Sequence, residues 1–103
     1  MMENSSLIAI DAFCSFHNVD ISFVSSIQEQ DLITIVFVEE TGFIQEEKLP
    51  LLEKIVRLYK ELEINPEGIG VVLHLLDRID FLQKENQSLK RRLSRLESLE
   101  GNL

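Results

Sequence analysis

Cys14 and His17 stand three residues apart, a spacing that on a helix would let a thiolate and an imidazole share a metal ion. A zinc site needs at least three protein ligands, and the one remaining imidazole, His74, lies far along the chain among Leu73, Leu75 and Leu76. Cys14 is therefore expected as a core thiol, His17 as an imidazole at a helix end, and His74 as a packed or half-exposed side chain. No grouping of Ser, His and Asp, no glycine-rich phosphate loop and no metal motif occurs. Glu39 and Glu40 are paired acids, but the residues around them read as a turn, where solvation accounts for them. The expectation is a protein without catalytic residues, metal or cofactor: not an enzyme.

Charge carries more information. Residues 1–47 hold nine acidic side chains and no Lys or Arg, whereas residues 48–103 hold ten basic and nine acidic ones. The formal net charge of -8 thus divides into -9 and +1, which puts a continuous negative field on whatever the front half folds into. An anionic partner is repelled there. Asp11, Asp20, Glu29 and Asp31 fall around the first two helices and are the candidate partner-binding residues. The only basic cluster, Lys90, Arg91, Arg92 and Arg95, has no aromatic residues interleaved and reads as a solvated helix face rather than a nucleic-acid patch.

A chain of 103 residues supports one domain, and a helical extension with an apolar stripe of its own would need a partner to cover it. A single Cys excludes an internal disulfide framework. No apolar run approaches the roughly 20 residues of a membrane span, and Met1 to Ser6 lack the positive flank and apolar core of a secretory signal. The expected setting is the reducing cytoplasm, without membrane contact.

The elements follow from pattern. Ile10, Phe13, Cys14, Phe16 and Val19 have helical spacing, and Asn18 tolerates the left-handed conformation that ends a helix. Asp20 is a candidate N-cap for a second short helix carrying Val24 and Ile27. Two short helices joined by a tight turn outline a helix-turn-helix. Leu32 to Val38 is rich in β-branched and aromatic residues and reads as a strand, Glu39 to Gly42 as a turn, and Phe43 to Gln45 as a returning strand: a hairpin wing. A third helix is expected over Glu47 to Leu62, with Leu49, Leu52, Ile55, Val56, Tyr59 and Leu62 buried and Pro50 in its first turn. Asn65 and Pro66 signal the start of a fourth, with Gly68 and Gly70 expected where another backbone comes close. The fold class is mostly α: a winged helix-turn-helix with a third helix over residues 1–64, then a long helix over 65–103 that ends in a dimerisation coiled coil.

Val72, Leu75, Ile79, Leu82, Asn86, Leu89, Leu93 and Leu96 alternate spacings of three and four, the repeat of a coiled-coil seam. The narrow stripe cannot be buried by its own chain, so a homodimer is expected. Asn86 occupies a core position where a polar residue fixes register. Glu85 facing Lys90 of the second copy, and Arg92 facing Glu97, would favour parallel pairing.

Helix, turn, helix, wing, helix and long helix is the order of MerR-type regulators. Leu49 to Leu58, then Leu62 to Ile69 with Ile64, Asn65, Gly68 and Ile69, and then Leu73 to Leu76 with His74, resemble the CbpM-like chaperone modulators; so do Ile10, Phe13, Cys14, His17 and Val19 in the first helix. The resemblance spans about residues 7–97 and is most specific over 64–69. It implies binding to the J-domain of a DnaJ-like co-chaperone, which would keep that J-domain from stimulating its DnaK-type chaperone. J-domains present a basic helix to their chaperone, and an acidic front half complements it. The alternative is a DNA-binding regulator of MerR type. Against it, a second helix and wing without Lys or Arg lack the phosphate contacts that supply most DNA affinity.

Overall fold

The computed structural model describes residues 6–101; of the amino-terminal stretch Met1 to Ser6, all but Ser6 lies outside the described residues. The chain divides into two compact units, Met1–Gly70 and Val71–Leu103. The first contains β1 (Leu7–Ala9), α1 (Ile10–His17), α2 (Ile21–Glu29), β2 (Val36–Val38), β3 (Thr41–Gln45), a 3-10 turn (Glu46–Lys48), α3 (Leu49–Glu61) and the start of α4 (Pro66–Gly101). The architecture is mostly helical, with a small antiparallel sheet in the order β1-β3-β2.

Local chemistry sets the helix ends. Asn18 adopts φ 56° and ψ 51°, and the turn closes through the Val19 amide donating to the Cys14 carbonyl at 3.0 Å. Asp20 stands at the N-cap of α2, but its side chain makes no cap hydrogen bond. The reason is local: the Phe23 amide, which a capping carboxylate would take, donates to the Asp20 backbone carbonyl at 3.0 Å. At α4 the expected cap does form, the Gly68 amide donating to Asn65 Oδ1 at 2.8 Å with Pro66 in the first helical position. α3 ends where Glu63 turns left-handed and the Ile64 amide reaches back to the Leu58 carbonyl at 3.2 Å.

Several boundaries differ from the sequence expectation. The strand expected over Leu32 to Val38 shrinks to Val36–Val38. The amides of Asp31 and Leu32 are engaged in closing α2, on the carbonyls of Gln28 and Ile27, while Ile33 sinks into the core from an irregular segment. The hairpin turn is two residues long, Glu39 and Glu40 at φ 50° and 69°, so Thr41 and Gly42 belong to β3. The wing gains a third strand, because Leu7, Ile8 and Ala9 pair with Gln45, Ile44 and Phe43. The third helix, expected to start at Glu47, opens as a 3-10 turn and becomes α-helical at Leu49.

The core of the first unit is built by Val24 and Ile27 of α2, Ile44 of β3, Leu52 and Ile55 of α3, and Ile69 of α4, all fully buried, with Ile10, Phe13 and Cys14 of α1 beside them. Of the residues expected on buried faces, Val19 and Leu49 are only half-buried and three lie outside the core. Phe16 is 83% exposed because, at 100° per residue, it sits well off the face that Ile10, Phe13 and Cys14 share. Leu62 lies beyond the last turn of α3, and Tyr59 covers the core from outside, stacking on Phe23 with ring centroids 4.1 Å apart.

Gly68 is hemmed in by side chains rather than by the neighbouring backbone expected from sequence; a Cβ there would stand 2.8 Å from Ile64 Cγ2 and 3.2 Å from the capping Asn65 Oδ1. Gly70 likewise faces side chains, those of Gln30 and Leu32 at 4.0 Å. Gly68→Ala, which in an open helix interior gains about 1 kcal/mol, should here disturb the cap and destabilise by about 1 kcal/mol. Circular dichroism melting checks this, a melting temperature at or above that of the wild type excluding the tight cap.

In the second unit α4 continues without interruption to Gly101. Leu75, Ile79, Leu82, Leu89, Leu93 and Leu96 are each about half exposed, Asn86 is exposed, and Val72 is half-buried. None of the helices in the described residues is long and apolar enough to cross a membrane.

Candidate functional site

In a helix-turn-helix the second helix and the wing form the face that meets a ligand. Here that face is acidic and apolar. Residues 6–47 contribute no Lys or Arg to it, and among the described residues none of their carboxylates forms a salt bridge. The cations of this unit, Lys48, Lys54, Arg57 and Lys60, belong to the 3-10 turn and α3. Lys60 holds two elements together, since its Nζ donates to the His17 and Asn18 carbonyls at 3.0 and 3.2 Å and so closes the carboxyl end of α1.

The four acids singled out in the sequence separate into two pairs. Asp11 lies exposed in the first turn of α1 and Asp20 exposed before α2, both near enough to Cys14 to act on it electrostatically. Glu29 is the last residue of α2, and Asp31 follows it at φ 60°, both exposed. Eleven residues, most of them helical at 1.5 Å rise each, set Asp20 and Asp31 roughly 15 Å apart. The carboxylate of Asp20, unused as a cap, is free to face solvent.

Cys14 and His17 do not form a site together. Burial pushes the Cys14 thiol up, and the negative charges of Asp11 and Asp20 push it further in the same direction, so the sulfur stays protonated and poorly nucleophilic. His17 Nε2 instead approaches Glu53 Oε2 of α3 at 3.8 Å, and its ring lies 4.3 Å from that of Phe13. Among the described residues no group of three metal-ligating side chains occurs. His74 is exposed on α4.

The structure adds a feature that sequence reading missed. A groove of about 160 Å³ opens between α1, α2 and the hairpin. Ile10, Ile21 and Val24 wall it from the helices; Ile35, Phe37 and Gly42 wall it from the hairpin side. Asp11 and Ser25 are its polar members. Ile21 and Phe37 are 53% and 64% exposed, so the face presents apolar surface beside acids that form no salt bridge among the described residues. The sequence carried no signal for the groove, because Gly42 reads there as a turn residue and joins β3 only in the structure.

This arrangement suits the capture of a cationic protein surface and offers nothing for phosphate. Comparison with known proteins identifies the family. The family model described as MerR HTH family regulatory protein matches residues 8–91. A protein of Pseudomonas entomophila named chaperone modulatory protein CbpM is 28% identical over 97 residues, covering 91% of this chain and 96% of its own. A protein of the same name from Pseudomonas putida is 29% identical with the same coverage, and one from Escherichia coli O81 is 30% identical over 87 residues, covering 84% of this chain and 86% of its own. No solved structure gives a significant match. With its helix-turn-helix core, its hairpin and its long last helix, the chain belongs to the MerR helix-turn-helix family and, within it, to the chaperone modulators of the CbpM type.

Proposed function

We propose that this protein is a non-enzymatic modulator that binds the J-domain of a DnaJ/CbpA-like co-chaperone in the bacterial cytoplasm and prevents it from stimulating a DnaK-type chaperone. One observation carries the reading: the face built by α1, α2 and the hairpin is acidic, with none of its carboxylates in a salt bridge among the described residues, where a DNA-binding relative would need cations. A J-domain offers its chaperone a basic helix. A surface of opposite potential draws that helix in at long range and, once docked, covers the contacts the chaperone requires. Asp11, Asp20, Glu29 and Asp31 are the proposed partner-binding residues.

The protein works as a homodimer in this reading, paired along Val72, Leu75, Ile79, Leu82, Asn86, Leu89, Leu93 and Leu96. The half-exposed leucines of α4 support the pairing, since a second copy of the same stripe would bury them.

The deciding measurement is ATP hydrolysis by a DnaK-type chaperone in the presence of a full-length J-domain co-chaperone. Titrating the protein should return the stimulated rate to the basal rate as its concentration passes that of the co-chaperone, and should leave the basal rate alone. A parallel titration with random duplex DNA at low salt should show no binding. Undiminished stimulation, or salt-dependent DNA binding at micromolar concentration, overturns the proposal and favours the regulator.

A further inference from the structure

The groove between α1, α2 and the hairpin is too small for an ordinary small-molecule ligand, whose pockets run to roughly 300–1,000 Å³. At about 160 Å³ it has the size for a side chain. Its walls are aliphatic and aromatic, and two of them, Ile21 and Phe37, stand more than half in solvent. Around this opening the chain places acids without cations. Asp11 lies in the wall, Asp20 immediately precedes Ile21, and Glu39 and Glu40 follow Val38 at the tip of the hairpin.

We propose that the groove seats one apolar side chain of a cationic helix, with Asp11, Asp20 and the hairpin-tip glutamates receiving the Lys and Arg residues that flank it. The proposal rests on the J-domain reading and says how that partner is gripped: field for the approach, groove for the hold. Charge decides the occupant. An acidic or phosphorylated segment is repelled, and the same face of a second copy carries the same negative charge. An extended peptide added to β2 has only the three-residue edge Val36–Val38 to pair with, too few main-chain bonds to hold it. A helix with an apolar anchor inside a basic surround meets both halves of the site, and buried central anchors of this kind dominate binding while rim charges govern encounter.

Gly42 provides the test. A Cβ on it would stand 3.2 Å from Ile35 Cγ2 and 3.5 Å from both Ile10 Cγ1 and Phe37 Cε1, in the floor of the groove. No glycine has a positive φ, so the backbone here accepts a β-branched residue, with the Ile35 side chain yielding by a few tenths of an ångström. Gly42→Val should keep the fold, judged by circular dichroism, and block the groove without altering any charge. A full J-domain, titrated calorimetrically and by stopped flow, should bind the variant at least tenfold more weakly. The loss should come from faster dissociation, with association at low salt within about twofold of wild type. Phe37→Ser, which removes an exposed wall and leaves the core intact, should weaken binding similarly and decides the matter if Gly42→Val does not fold.

Wild-type affinity in whichever of the two folds overturns the groove while the J-domain reading stands. A wild-type protein that binds no J-domain overturns that reading and the assigned occupant with it. A change of sedimentation in Gly42→Val would identify the occupant as a second copy of this chain, also against the proposal.

Discussion

Replacing Leu89 and Leu93 together by Asp is expected to leave the protein monomeric at micromolar concentration. The two residues occupy successive layers of the α4 stripe, each about half exposed in the single chain and therefore available to a second copy. In a paired helix both aspartates enter the seam, four in all across a dimer, and each ionised group buried without a partner costs several kcal/mol. That exceeds what exposed pairs such as Glu85 with Lys90 could return, at about 1 kcal/mol or less each. Analytical ultracentrifugation of wild type and variant reads the outcome directly. A second signal accompanies it: an unpaired helix of this kind is marginal in water, so loss of pairing should lower far-ultraviolet helicity. A wild type that sediments as a monomer under the same conditions removes the coiled coil.

The helix punctuation in this chain was legible because each signal is local. Asn18 and the Asn65-Pro66 pair end and begin helices through their own dihedral preferences and side-chain acceptors, and both act in the structure as their types predict. The failures have separate causes, one of them a distant partner. Leu7, Ile8 and Ala9 form a strand only because β3 offers its second edge to them, and three residues carry no periodicity to announce it. Leu32 to Ile35 have strand-forming side chains, yet the closure of α2 takes the amides of Asp31 and Leu32. Phe16 shares the hydrophobicity of the buried stripe, although its angle on the helix puts it outside.

The site divides in the same manner. Its charge could be counted along the chain, because the absence of Lys and Arg over residues 1–47 holds whatever the fold. The groove could not be read, since Ile21, Phe37 and Gly42 come from α2, β2 and β3 and meet only once the hairpin packs beside the helices. Backbone strain was equally hidden. Glu39 and Glu40 both hold left-handed φ values in a turn that Asn-Gly would form more cheaply, at a cost of about 1–2 kcal/mol for each residue. Two adjacent charges kept at that cost are consistent with a tip that serves by being acidic.

Charge reversal at the far end of α2 then separates steering from grip. Glu29→Lys combined with Asp31→Asn changes the local charge by three units, two from Glu to Lys and one from Asp to Asn. Asn is chosen at position 31 because that residue sits at φ 60°, which Asn tolerates and Lys does not favour. Neither residue lines the groove, and neither side chain is in a salt bridge among the described residues. The variant should therefore act on the approach of a basic partner alone. Association with a J-domain at low salt should slow by on the order of tenfold, with a shallower salt dependence, while dissociation stays as in wild type. Gly42→Val has the opposite signature, so stopped-flow traces of the two variants should change in different phases. Unchanged association of the charge variant at low salt, with its circular dichroism intact, would take Glu29 and Asp31 out of the partner-binding face and leave Asp11, Asp20 and the hairpin tip as the source of the attraction.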